Sequence, residues 1–308
     1  MTYITDIAVE LGSDEIDNVK LAAGFGHEAA FVRDKIGFVK RRQLAESETE
    51  FDLVRRAFER IQNGSGIRRE DIQLLMVVTQ NPFNTGIPHD SALIQARLGL
   101  SNKVMAFDVG LGCSGFVYGL NIASAVMELN AYDCALLITS DCYSRHIDPA
   151  DDKTRLLFGD AAACTVLQRT SGILKIGPGL FSTDGNAGNA LCRKERYISM
   201  NGRAVFEFSA TKVPAQIREL MSQASVREHN IKKAVLHQGS KFIVDAISRR
   251  VAPLGLTCPF YAAEVGNLVS SSIPHALSIE ISEGGRESFV ISGFGVGLSW
   301  GSSCLYKV

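Results

Sequence analysis

The sequence predicts an α/β fold made of two similar halves. Three observations carry this: short apolar strands separated by helical patterns, an order of elements that recurs in the second half, and glycine-bearing turns at matching places in both. The 308 residues, 46% hydrophobic and 21% charged, suffice for one large or two medium cores.

Taken in order, residues 51–62 place Leu53, Ala57, Phe58 and Ile61 at helical spacing, and 91–98 reads as a second, shorter helix. The apolar runs 74–79 (LLMVVT), 103–109 (KVMAFDV), 134–139 (CALLIT) and 161–167 (AAACTVL) read as buried strands, and the small-residue run 116–128 as a helix between them. Residues 170–190, rich in Gly, Ser and Asn, read as the connection between an N-terminal half, 1–170, and a C-terminal half, 171–308. In the second half, 232–240 repeats the strand-then-polar pattern of 71–82, and 262–277 repeats 107–120. Residues 288–306 repeat 156–167 as strands with glycines between them.

Composition narrows the function. A formal net charge of −1, from 32 basic and 33 acidic residues, gives no polyanion-binding surface, so nucleic acid is not an expected partner. The opening residues lack a basic-then-apolar leader, and no uncharged apolar stretch reaches the roughly 18–20 residues that cross a bilayer. The expectation is a cytoplasmic protein without membrane contact. Seven cysteines, widely spaced and without a CxxC pair, argue against a zinc site or a disulfide framework. No metal is expected, and most of the cysteines read as small buried residues.

One cysteine stands apart. In DVGLGCSGF, residues 108–116, a strand ends, two glycines permit a tight turn, and Cys113 opens a helix. The positive end of the helix dipole and its unpaired N–H groups favour a thiolate there, and the same N–H groups can hold an oxyanion. Cysteines are often merely buried, which leaves a packing role open at this point. In the other half Gly266-Asn267 begins a helix at the corresponding place, and His237 ends an apolar strand in VLHQGS. Packed about a pseudo-twofold axis, the halves would bring Cys113, His237 and Asn267 together as a nucleophile and two hydrogen-bond donors. The run GFGVGLSWG, 293–301, approaches a dinucleotide loop but has no βαβ unit after it. Its glycines, Gly295 among them, instead let the backbone approach the site, with a main-chain N–H near Val296 as an oxyanion donor.

Together these motifs resemble the 3-oxoacyl-acyl-carrier-protein synthase III (beta-ketoacyl-ACP synthase III) family over essentially the whole chain. The matching pieces are AFDVGLGCSGFVYGL, LLFGDAAACTVL, MNGRAVFEFSA, VLHQGS, the GN of 266–267 with SSSIPHAL, and GFGVGLSWGSSCL. The resemblance implies a thiolase-like five-layered αβαβα fold, a homodimer, and a catalytic set on Cys113, His237 and Asn267. It also implies an acyltransferase chemistry without a tightly bound cofactor. Cys113 takes an acyl group from an acyl-CoA or acyl-carrier-protein thioester, and malonyl carrier protein or malonyl-CoA then condenses on it with loss of carbon dioxide. His237 and Asn267 would stabilise the enolate, and Phe294 would shield the site.

The flanks depart from the family. His-Gln-Gly-Ser240 replaces the usual His-Gln-Ala-Asn, and the letters after Asn267 change. Phe31 and Lys35 align where the family has a tryptophan and an arginine on the nucleotide, so Phe31, Lys35 and Ser240 are the expected CoA or pantetheine contacts. Ile87 aligns with the acyl-pocket residue supplied across the dimer. These changes point to a specialised homologue with a different acyl donor. Lys232, Lys233, Lys241, Arg249 and Arg250 form a patch that could steer an acidic carrier protein, or a plain solvated face. Rival readings are an acyltransferase of the same fold serving an amine or hydroxyl, a non-catalytic subunit, and a papain-like peptidase, whose Cys-Gly-Ser-Cys-Trp signature is missing.

Overall fold

The computed structural model describes residues 1–83, 86–284 and 287–308. Nine strands form one sheet. In the N-terminal half these are β1 (Tyr3–Leu11), β2 (Leu74–Val78), β3 (Met105–Val109), β4 (Cys134–Asp141) and β5 (Ala161–Gln168). In the C-terminal half they are β6 (Leu174–Thr183), β7 (Lys233–Leu236), β8 (Phe289–Gly295) and β9 (Ser299–Lys307). The order is β7-β8-β9-β6-β1-β5-β4-β2-β3, and the halves join at β1 and β6 through Tyr3↔Lys175 and Ile4↔Leu174.

The pairing pattern repeats outward from that joint. β1 runs antiparallel to β5, β5 antiparallel to β4, and β4 parallel to β2. Likewise β6 runs antiparallel to β9, β9 antiparallel to β8, and β8 parallel to β7. A lone parallel bridge, Lys233↔Thr257, stands where β3 lies beside β2 in the first half. β8 is therefore the counterpart of β4, and only β9 that of β5. The sequence pairing of all of 288–306 with 156–167 is corrected accordingly.

Helices sort the strands into layers: α1 (Glu50–Ser65), α2 (Asp90–Arg97), α3 (Gly115–Asn130), α4 (Gly202–Ser222), α5 (Lys241–Val251) and α6 (Ser272–Ser282). Successive residues of β2 point to opposite faces. Leu75 and Val77 pack with Leu53, Phe58 and Ile61 of α1 and Ile94 of α2. Leu74, Met76 and Val78 pack with Phe116 and Leu120 of α3 and Ile273 and Leu277 of α6. From the other half, Val235 of β7 and Ile291 of β8 join that same central layer, while Leu236 and Val290 face Val213 and Ile217 of α4 and Val244 of α5. The result is α/β/α/β/α, five layers with α3 and α6 in the middle. Strands covered on both faces explain the uninterrupted apolar runs.

α1 begins with a capping box, Thr49 and Asp52 bonding each other's backbone N–H, which fixes its start one residue before the periodic pattern suggests. The expected plain connection over 170–190 is corrected too: ten of its residues, Leu174–Thr183, are β6. Its glycines hid the strand. A Cβ at Gly177 would lie 2.5 Å from the Tyr306 ring, so an aromatic from β9 occupies the space a side chain would take. Among the seven cysteines, all free, five are buried and Cys192 and Cys258 are partly so. Among the described residues no helix is long and apolar enough to cross a membrane.

Candidate active site

Each half delivers its part of the site from the end of a parallel strand. β3 ends at Val109, and the chain turns through Gly110–Gly112 to place Cys113 just before α3, at 4% exposure. His237 follows β7, its N–H bonded to the Ser292 carbonyl at 2.8 Å, and is 3% exposed. Phe294 stands edge-on to its imidazole, centroids 5.4 Å apart.

Asn267 is held by a turn that only glycine permits. Gly266 has φ +84°, and a Cβ there would meet Arg41 Cγ at 2.8 Å. Asn267 N–H donates to the Leu157 carbonyl at 2.9 Å, and its own carbonyl accepts from Gly159 N–H at 3.0 Å. Its Oδ1 accepts from Val269 N–H at 2.9 Å, which fixes the amide and leaves Nδ2 as a donor.

Cys113, His237, Asn267, Phe294 and Gly295 all line one cavity of about 270 Å³. A Cβ on Gly295 would lie 2.8 Å from Cys113 Sγ, so glycine is what lets β8 back the thiol. Burial pushes the Cys113 thiol up to about 12, and the Asp141 carboxyl adds to this. Main-chain hydrogen bonds from Cys113 and Val296 act the other way. The helix-end thiolate expected from the sequence is thus corrected: loss of hydration outweighs the local N–H groups. Burial pushes His237 down to about 3, against a weaker opposing effect of the Val269 backbone, so its imidazole is neutral at neutral pH. Asp141, wholly buried, is pushed up to about 7 by desolvation despite bonds from Ser270, Gln80 and Thr79.

The mouth of the cavity carries Phe31, Lys35 and Ser240. Phe31 stacks on His27 at 4.4 Å, and His27 Nε2 pairs with Asp152 at 2.7 Å. Lys35 Nζ sits 4.8 Å over the Phe242 ring, which stacks on Phe206. Ser240 Oγ accepts the Ile243 N–H at 3.3 Å as the cap of α5, leaving its O–H to donate. Ile87 is 85% exposed and lines neither this cavity nor the next one within its own chain. Of the basic patch, Lys233 pairs with Glu280 at 2.8 Å and Lys241 with Asp245 at 2.6 Å, while Lys232, Arg249 and Arg250 are exposed.

Two features escaped the sequence reading. Arg41 is 1% exposed; its Nε donates to Asn18 Oδ1 at 2.7 Å and its Nη1 to the Phe158 carbonyl at 2.8 Å. Asn18 Nδ2 in turn donates to the carbonyls of Phe38 and Leu156. This network pins the segment at Phe158 that bridges to Asn267, and burial lowers Arg41 only to about 10, so it stays charged. The other is a second cavity of about 200 Å³, lined by Gln80, Asn81, Tyr143, His146, Arg193 and Val296 among others, with Leu191 lining both cavities. Its signal was positional: Gln80 and Asn81 follow β2, and Tyr143 follows β4, at the strand ends where open α/β sheets bind ligands. Among the described residues no cluster of His, Cys, Asp or Glu could hold a metal.

Known proteins match this architecture. The family model described as 3-Oxoacyl-[acyl-carrier-protein (ACP)] synthase III matches residues 107–185, and its C-terminal counterpart matches 221–307. The beta-ketoacyl-[acyl-carrier-protein] synthase III of Streptococcus sanguinis is 29% identical over 318 aligned residues, 97% of each chain. A solved 3-oxoacyl-(acyl-carrier-protein) synthase III is 32% identical with a TM-score of 0.92, covering 100% of this chain and 99% of that one. The 3-oxoacyl-(acyl carrier protein) synthase III of Pseudomonas aeruginosa PAO1 is 28% identical with a TM-score of 0.89, covering 99% and 98%.

Proposed function

The chain belongs to the 3-oxoacyl-[acyl-carrier-protein] synthase III family, and we propose that Cys113, His237 and Asn267 carry out its condensation. The observation that carries this is their convergence, with Phe294 and Gly295, on one cavity. An acyl thioester enters past Phe31, Lys35 and Ser240. The sulfur of Cys113 attacks its carbonyl carbon, and the N–H groups of Cys113 and Val296 stabilise the oxyanion. The new carbon–sulfur bond replaces the old one, and the proton of Cys113 ends on the departing thiol.

Malonyl carrier protein then takes the vacated arm site. Its carboxylate leaves as carbon dioxide, and the electron pair of the broken C–C bond passes into an enolate. His237 and the Nδ2 of Asn267 donate to that oxygen where charge develops. The enolate carbon attacks the acyl carbon, the bond to Cys113 breaks, and the thiolate recovers a proton. A neutral imidazole suits this role, since it donates one hydrogen bond. Held near 3, it is a poor base for activating an amine or hydroxyl, which weighs against a heteroatom acceptor.

The same reading makes the protein a homodimer in which Ile87 reaches the partner's acyl site, and treats 1–170 and 171–308 as halves of one catalytic unit. Arg249 and Arg250, exposed and free of ion pairs among the described residues, are the carrier-docking side chains we favour in the basic patch. The test is product analysis: an acyl thioester and malonyl carrier protein should yield a 3-oxoacyl carrier protein and carbon dioxide with wild-type protein. Cys113→Ala should yield no 3-oxoacyl product.

A further inference from the structure

The second cavity lies against the nucleophile. Val296 lines it, and the Val296 main chain hydrogen-bonds the Cys113 sulfur. Gly112, next to the cysteine, is so close to its wall that a Cβ there would meet Gln80 Oε1 at 2.5 Å and the Tyr143 hydroxyl at 3.3 Å. Leu191 separates this space from the first cavity and lines both. His237 and Asn267 line only the first cavity, which also holds the arm's entrance. Cys113 lines the first cavity and not the second, so an acyl chain on it reaches the second by passing Leu191, the residue common to both.

Its walls are unlike an alkyl site. Gln80, Asn81, Tyr143, His146 and Arg193 line it beside Leu191, Cys192, Ile198 and Val296. Tyr143 O–H donates to Gln80 Oε1 at 3.1 Å, which turns the Gln80 amide so that its Nε2 is left to donate elsewhere. Among the described residues, Gln80 Nε2, the His146 ring and the Arg193 guanidinium make no hydrogen bond or ion pair. An alkyl chain would cover these groups without replacing their water, at a cost for each.

The charge around the cavity is uneven: the buried Asp141 carboxyl acts on the wall residue Tyr143, and arginines gather about His146. Arg193, Arg145 and Arg196 all act on His146. Arg145 is engaged with Glu50 at 3.6 Å and the Glu48 carbonyl, whereas Arg193 and Arg196 have no acidic partner among the described residues. Arg193 is exposed, so it marks the outer end of the cavity, away from the sulfur.

Resting on the acyl-cysteine reading above, we propose that the acyl group carried by Cys113 ends in a carboxylate, bound by Arg193 with Gln80 and His146 as further donors. The chemical class is the mono-thioester of a short dicarboxylic acid. A cavity of about 150 Å³ holds benzene, so the 200 Å³ here has room for roughly eight non-hydrogen atoms, enough for a succinyl group. The transfer balances as for any thioester exchange: the acyl carbon leaves the pantetheine sulfur for Cys113, the proton moves to the departing thiol, and the distal carboxylate is unchanged.

The test uses CoA thioesters of succinate, glutarate, butyrate and valerate, and follows the rate of mass gain on intact protein in wild type, Arg193→Leu and Cys113→Ala. The expected result is that succinyl or glutaryl loads about tenfold or more faster than the alkyl acyl group of like length. Arg193→Leu should cut that ratio by about tenfold or more, as loss of a charge-assisted bond implies. Equal or faster alkyl loading in wild type, or a ratio that Arg193→Leu does not move, overturns the carboxylate assignment while leaving the acyl-cysteine intact. If no thioester loads, or Cys113→Ala loads equally, the acyl-cysteine reading fails and this assignment falls with it.

Discussion

Gly295 stands directly behind Cys113: a Cβ on it would lie 2.7 Å from Cys113 Cβ and 2.8 Å from Sγ. Those separations are too short for either side chain to keep its place. Gly295→Ala should therefore shift the thiol away from the N–H groups of Cys113 and Val296. Displacements of that order cost about 10²-fold in rate. The expected outcome is a loss of about that size in the rate of Cys113 acylation, read by single-turnover mass measurement, with far-UV circular dichroism unchanged.

Asn267→Asp separates the two stages. It keeps an oxygen to accept the Val269 N–H and replaces the Nδ2 donor with an acceptor. Loss of one oxyanion donor typically costs ~10²–10³ in rate. Malonyl carrier-protein decarboxylation should fall by about that factor, while loading of Cys113 changes far less. Equal losses in both stages would argue against an enolate-stabilising role.

The buried imidazole makes stability depend on pH. His237 is held down to about 3, against about 6.5 for an unfolded histidine. Above pH 6.5 neither state binds the proton. As pH falls from there toward 3, only the unfolded chain takes it up, so folded stability declines, by up to about 1.4 kcal/mol per pH unit. Urea unfolding should show wild type losing stability relative to His237→Gln across that window, with a constant difference above pH 7.

Arg41 and Asn18 tie the segments at Phe38, Leu156 and Phe158 together beneath the Gly266 turn. Asn18→Ala leaves the Phe38 and Leu156 carbonyls and Arg41 Nε short of a partner. At about 1–3 kcal/mol for each buried group left unsatisfied, the denaturation midpoint should fall clearly. Product formation measured well below the new midpoint should fall as well, because Asn267 pairs with Phe158.

Much of this was legible in the sequence, because doubly covered strands print as apolar runs. β2, β4 and β5 appear as LLMVV, CALLITSD and AAACTVLQ. The convergence of Cys113, His237 and Asn267 on one cavity was legible because Cys113 and His237 each come just after a strand and Asn267 follows a glycine. β6 was not, since Gly177 makes room for the Tyr306 ring of β9 and Gly179 for Phe181 of its own strand, and both read locally as a loop. Nor was the state of the thiol: the letters show the helix N-terminus, but desolvation depends on Phe294, Gly295 and the other half closing over it. The polar wall of the second cavity was hidden for a related reason. Gln80, Tyr143 and Arg193 are far apart in the chain and meet only once the sheet and the hairpin of Leu191–Lys194 and Tyr197–Met200 are formed.

The most direct measurement is the mass of the intact protein before and after malonyl carrier protein is added to acyl-loaded enzyme. The account predicts a gain equal to one acyl group in wild type and none in Cys113→Ala. That gain should vanish when malonyl carrier protein is added, with one carbon dioxide released per acyl group lost. An acyl mass equally present in Cys113→Ala, or one that persists with malonyl carrier protein but is discharged by an amine or hydroxyl acceptor, would contradict it.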